Sequence, residues 1–205
     1  MAAQIAGTEA LFLGYGDRAG MSRIAILPSG VIGYLTCMRF ANQGVTMHLV
    51  ENYLRALAEI HRTGGGTAET SYYAALETLL NEIGAGLKPR VRAVAQLANA
   101  GAGSPDFGLY TANQFQRVDA TEPLPGQVPE RGVVEVKGWA DDSFVTAKGG
   151  QVTKYWEKYG LVLVTNYRDF VLIGRDEAGR PFRLETYRIA KSGGEFIVRL
   201  AHPRK

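Results

Sequence analysis

Ser104-Pro105-Asp106-Phe107-Gly108 is followed, after an extended loop, by Gly132-Val133-Val134-Glu135-Val136-Lys137-Gly138, and these two stretches decide how the chain reads. They set one aspartate, then a glutamate and a lysine two positions apart, in the order PD…ExK. Successive residues of a strand point to opposite faces. A strand at 133–137 therefore presents Glu135 and Lys137 on one face and buries Val134 and Val136 on the other.

That residue set suits hydrolysis of a phosphodiester. A hard divalent cation takes oxygen ligands, is held by one or two carboxylates plus substrate phosphate, and keeps several waters. Asp106 and Glu135 would supply the carboxylates and the Val136 carbonyl a further oxygen, for Mg²⁺ or alternatively Mn²⁺. The Lys137 ammonium would orient an attacking water and offset charge growing at phosphorus. Taken alone, Val-Glu-Val-Lys is a common amphipathic strand and Pro-Asp-Phe-Gly an ordinary turn. A third element downstream changes the balance. Gln151-Val152-Thr153-Lys154-Tyr155 opens an expected helix over 149–158, and its i, i+4 spacing puts Gln151 and Tyr155 on one face.

In this order the three pieces resemble the PD-(D/E)xK nuclease superfamily, in particular its QxxxY branch. Further stretches, 66–73, 87–90 and Val164-Thr165-Asn166-Tyr167-Arg168-Asp169-Phe170, look like the N-terminal nuclease domain of type ISP restriction-modification enzymes, over roughly Met47 to Ile189. The resemblance implies an α/β fold with a restriction endonuclease-like core, a central mixed sheet flanked by helices. It implies a Mg²⁺-dependent DNA endonuclease in which Asp106, Glu135 and Lys137 carry cleavage and Gln151 and Tyr155 form an accessory motif. In such enzymes an ATP-driven translocase and an N6-adenine methyltransferase follow in the same polypeptide. The chain has no GxxxxGK[ST] loop and no Asn-Pro-Pro-aromatic motif, so it is expected to be an excised domain or a short relative. The implied partners are double-stranded DNA, those separate domains and a transient nuclease dimer on DNA. The alternative is a noncatalytic DNA-binding or docking module of a methyltransferase that retains the nuclease fold.

Composition fits one domain. The chain has 205 residues and is 46% apolar, enough to bury a sizeable core. The net charge of +3 is uneven: residues 131–205 hold 14 Lys/Arg against 9 Asp/Glu, and residues 1–130 hold 9 against 11. A basic C-terminal half suits phosphate backbones. A single cysteine, Cys37, excludes an intramolecular disulfide and fits a reducing cytoplasm. His48, His61 and His202 lack metal-ligand spacing and are expected as surface or packing residues.

By the resemblance the chain is expected to divide into an N-terminal extension over 1–46, from an upstream start codon or simply variable, a nuclease domain over 47–190, and a tail or linker over 191–205. The apolar run from Ile24 to Met38 is broken by Pro28, Gly30 and Gly33, too interrupted for a membrane span of about 20 residues. No signal peptide is evident. Helical periodicity predicts helices over 46–62 and 68–83, the second capped by Thr67 and carrying Tyr73, Leu76, Leu80 and Ile83 on its buried stripe. Glu69 and Glu77 on that helix are candidates for a further carboxylate. Strands are expected over 91–97, 107–111, 133–137, 161–165 and 170–173, with a surface loop at 121–131. The loop Asn166-Tyr167-Arg168-Asp169 offers a guanidinium for a DNA phosphate and an aromatic ring for stacking, or is a hairpin turn. Arg183, Arg188, Arg199, Arg204 and Lys205 would extend the DNA-facing surface or belong to the linker.

Overall fold

A computed structural model describes residues 43–63, 69–117 and 119–201. The expectations for Cys37, the apolar run, the Thr67 cap, His202, Arg204 and Lys205 lie outside those residues. The chain is α/β. Among the described residues, six strands form one sheet in sequence order: β1 Val91–Ala95, β2 Phe107–Thr111, β3 Val133–Val136, β4 Val162–Thr165, β5 Asp169–Arg175 and β6 Pro181–Arg188. Neighbours are antiparallel except β3 and β4, which run parallel with Glu135 opposite Val164. A parallel pair needs a crossover, and α3 (Ser143–Thr146) and α4 (Gly150–Tyr159) supply it. The mixed sheet expected from the sequence is therefore present.

Helices cover both faces. On one lie α1 (Gln43–Arg62), α2 (Tyr73–Ala85) and α5 (Gly193–Ala201). Their Tyr53, Leu57, Leu76, Leu80, Ile83, Phe196 and Leu200 pack on Phe107, Val134, Val136, Phe170 and Leu172 of the sheet. On the other face, Val152, Tyr155 and Trp156 of α4 cover Val133, Val162, Val164, Val171 and Ile173. The Trp156 indole also donates to the Gly174 carbonyl at 2.8 Å, which fixes α4 over β5. Gly160 ends α4 in the left-handed region at φ 73°, the usual glycine stop.

Two segments differ from expectation. The second helix opens with a 3-10 turn over Glu69–Tyr72, and α2 proper begins only at Tyr73. Beyond the last expected strand, Pro181–Arg188 forms β6 at the sheet edge, and within 191–205, expected as a tail or linker, α5 buries Phe196 and Leu200 in the main core. The loop at 121–131 runs over the surface as expected, and the connection between β2 and β3 is organised around one buried amide. Gln114 accepts from the backbone N–H of Thr111 (3.1 Å) and Glu130 (3.2 Å), and donates to the Val128 carbonyl (2.6 Å). No helix among the described residues is long and apolar enough to cross a membrane.

Candidate active site

The antiparallel pairing of β2 with β3 brings Asp106 beside the strand that carries Glu135. Phe107 pairs with Val134, and the Asp106 N–H donates to the Val134 carbonyl at 3.1 Å. Two donors hold the Asp106 carboxylate. The Val136 N–H reaches Oδ2 at 2.6 Å, and the Tyr73 hydroxyl donates to Oδ1. Sequence distance is thus cancelled by strand pairing: Asp106 immediately precedes β2 and bonds to β3, the strand that holds Glu135.

Glu135 and Lys137 share the face opposite Val134 and Val136, as the period of two requires. Val134 and Val136 lie in the core beneath α1 and α2, whereas Val133 packs toward α4. Glu135 is only 6% exposed. Its Oε1 lies 2.7 Å from the half-exposed Lys137 Nζ. Burial pushes the Glu135 carboxyl up from its ordinary range; Lys137, by hydrogen bond and by charge, pulls it back, and the nearby Asp106 carboxylate adds to the rise. Two acidic groups and one ammonium therefore act on each other at one point of the sheet.

The α4 helix completes the group. Tyr155 is buried under it, and burial first, then the Glu135 carboxylate, raise its hydroxyl; a hydrogen bond with Gln151 and the charge of Lys137 act the other way. Gln151 Nε2 also donates to the Ala102 carbonyl at 2.8 Å, in the loop that leads to Asp106. That loop comes so close that a Cβ at Gly103 would stand 2.5 Å from Gln151 Nε2 and 3.3 Å from the Tyr155 hydroxyl. Asp106, Glu135, Lys137, Gln151 and Tyr155 all meet here.

No family model matches the chain, and no curated protein is similar enough in sequence to count as a match. Among solved structures, the chain is similar to one in the cryo-EM structure of the DrdV–DNA complex, with 21% identity and a TM-score of 0.49. The likeness covers 76% of this chain and 13% of that one, so the chain spans only a small part of that protein's length.

Other expected residues fall elsewhere. Tyr167 is not available to stack on a base: its ring is 1% exposed and packs against Tyr72 at 5.4 Å, while its carbonyl accepts from the Tyr53 hydroxyl at 3.0 Å. The turn explains the burial, because the β4–β5 hairpin takes Tyr167 to φ 69° and turns its side chain into the core. Arg168 is likewise not a free guanidinium. Its side chain is mostly buried and its Nε binds Asp169 at 3.1 Å, and Arg188 Nε holds the other oxygen of that buried carboxylate at 2.5 Å. The two arginines tie the hairpin to β6. His61 packs edge-on to Trp139 at 5.2 Å, as a packing histidine should.

Glu77 lies one helical turn beyond Tyr73, half-buried, with its carboxyl raised by burial. The side chain of Glu69 lies outside what is described. Tyr73 was legible in the sequence only as part of an apolar stripe; its contact with Asp106 was not.

The donor set fits a hard divalent cation. Ionised carboxylates only accept, and two of them placed together repel each other, a repulsion that a cation relieves. Among the described residues no group of three or more His, Cys, Asp or Glu gathers. Two carboxylates are what Mg²⁺ ordinarily takes from protein, with water and substrate oxygens completing its shell.

Proposed function

We propose that the chain is a Mg²⁺-dependent DNA endonuclease domain of a restriction-modification system, hydrolysing phosphodiester bonds in double-stranded DNA within the cytoplasm. One observation carries this reading: the carboxylates of Asp106 and Glu135, the Lys137 ammonium and the Gln151–Tyr155 pair come together from three separate elements. A site for phosphodiester hydrolysis needs these groups, and a merely structural strand does not.

Asp106 and Glu135 would hold Mg²⁺, or Mn²⁺ in its place, with the Val136 carbonyl as a third oxygen. When bound, the ion supplies Lewis acidity at the phosphate and lowers the pKa of a coordinated water. Lys137 orients the attacking water with its N–H donors and offsets the negative charge that builds on the phosphorus-bound oxygens as the P–O bond to the leaving group breaks. The ion pair with Glu135 keeps the ammonium at this post. Tyr155 and Gln151 hold the loop before Asp106 in place and offer donors beside the same carboxylates. Lys154 and Lys158, exposed on α4, and Lys148 just before it give cations for flanking phosphates.

Target choice and the drive along DNA would come from methyltransferase and translocase domains, with two nuclease domains meeting on the duplex to cut both strands. The test is nicking of supercoiled DNA in Mg²⁺ by the chain and by Asp106→Ala. Cleavage by the native protein and loss in the variant are expected. Equal cleavage by both would overturn the assignment.

A further inference from the structure

Tyr73 stands at the first residue of α2, on the face of the sheet opposite α4, and its ring packs on Phe107 with centroids 5.1 Å apart. A ring with only that task would do as well as phenylalanine. The hydroxyl, however, donates to Oδ1 of Asp106, while the Val136 N–H takes Oδ2 at 2.6 Å. A carboxylate with a fixed donor on each oxygen cannot rotate about its last bond without losing one of them. Each oxygen keeps a second lone pair, and these are directed by the two bonds already made.

We propose that Tyr73 is a positioning residue: its hydroxyl, together with the Val136 amide, sets the orientation in which Asp106 meets a divalent cation. The inference rests on the metal-dependent reading above. Groups that donate to a metal-binding carboxylate do not touch the ion, yet their loss commonly lowers metal affinity by about 10- to 100-fold. The amide cannot be removed by substitution without disturbing β3, so the tyrosine is the adjustable partner. It also links the two faces of the sheet, because the helix layer that buries Leu76 and Leu80 thereby controls a group used on the α4 side.

The experiment measures Mn²⁺ binding to the full chain by the loss of the free-ion electron paramagnetic resonance signal, without DNA, alongside thermal melting of the metal-free protein. The proteins compared are the native chain, Tyr73→Phe, Asp106→Ala and the double variant. Tyr73→Phe should melt close to the native temperature but bind Mn²⁺ about 10-fold or more weakly. In the Asp106→Ala background it should change Mn²⁺ binding no further. Native affinity in Tyr73→Phe, with Asp106→Ala impaired, would overturn the role of Tyr73 and leave the metal site standing. No Mn²⁺ binding by the native chain would overturn both. Should Tyr73→Phe fold poorly, Tyr73→Trp removes the hydroxyl while keeping an aromatic ring over Phe107, and the same affinities decide.

Discussion

Lys137 Nζ sits 2.7 Å from Oε1 of Glu135, so the group assigned to the attacking water is also the counter-charge of the most buried acid in the site. Its removal should therefore act twice. Lys137→Ala is expected to lower Mg²⁺-dependent DNA nicking by about 10²- to 10⁴-fold, the usual weight of a positioned proton-handling or charge-stabilising group. Lys137→Arg should recover little, because a flat, always-charged guanidinium does not reproduce a compact ammonium beside Glu135. Nicking rates on supercoiled plasmid check both.

A cation that binds the folded chain alone should stabilise it. At a free concentration about 100 times its dissociation constant, the gain is about 2.7 kcal/mol. Melting curves with and without Mg²⁺ should show the rise for the native chain and none for Asp106→Ala. A native melting temperature indifferent to Mg²⁺ would remove the metal site.

Without metal, Glu135 should make stability depend on pH in a defined sense. Its folded-state carboxyl is raised, first by burial. The folded protein thus holds this proton more tightly than the unfolded chain does. The favourable contribution is complete below the ordinary glutamate pKa and is lost as pH climbs through the raised folded value. Urea unfolding from acid toward neutral pH in a chelator should show this loss, superimposed on the other acids. Glu135→Gln should lack it.

Two glycines should fail differently. At Gly132, φ is 90° and a Cβ would lie 2.4 Å from the Leu161 carbonyl oxygen, a backbone atom that cannot turn aside. At Gly103, φ is 109° and the obstacle is the end of the Gln151 side chain. Gly132→Ala should cost more than the roughly 1–3 kcal/mol of backbone strain alone. Gly103→Ala should stay near that range, yet reduce cleavage by displacing Gln151. Denaturant midpoints and nicking rates separate the two.

Phe196 tests whether the last helix belongs to the fold. It is fully buried against the main core, so Phe196→Ala should cost about 3–5 kcal/mol. Chemical denaturation measures it. A change below about 1 kcal/mol, the range of surface substitutions, would return α5 to the status of a linker.

The sequence carried the candidate site further than the packing around it. Strand β2 falls where its apolar run predicts, and β3 and α4 end within one residue of their expected limits, because the period of two and the i, i+4 spacing are local signals. Strand β6 was missed because it is an edge strand with a bulge opposite Leu172 and Ile173; charged residues interrupt its apolar positions. The Asp176–Gly179 turn before it was the available cue. Tyr167 and Arg168 were misplaced for another reason. A loop residue's direction depends on its φ, which composition does not reveal, and the pull of a buried Asp169 on two arginines arises only once β5 and β6 are paired. Tyr73 shows the same limit: periodicity tells which side of a helix is covered, not what a hydroxyl at its rim will meet.

The self-contained loop around Gln114 has a consequence for the architecture of the chain. The Gln114 amide ties the two ends of the connection through Thr111 and Glu130, and the bonds that align Asp106 with β3 run to Val134 and Val136 rather than through residues 121–127. New chain ends could be opened there, or another module spliced in, and the two acids would still be brought side by side by their strands. The covalent thread between them is, in that sense, replaceable hardware, and ladder hydrogen bonds keep the alignment.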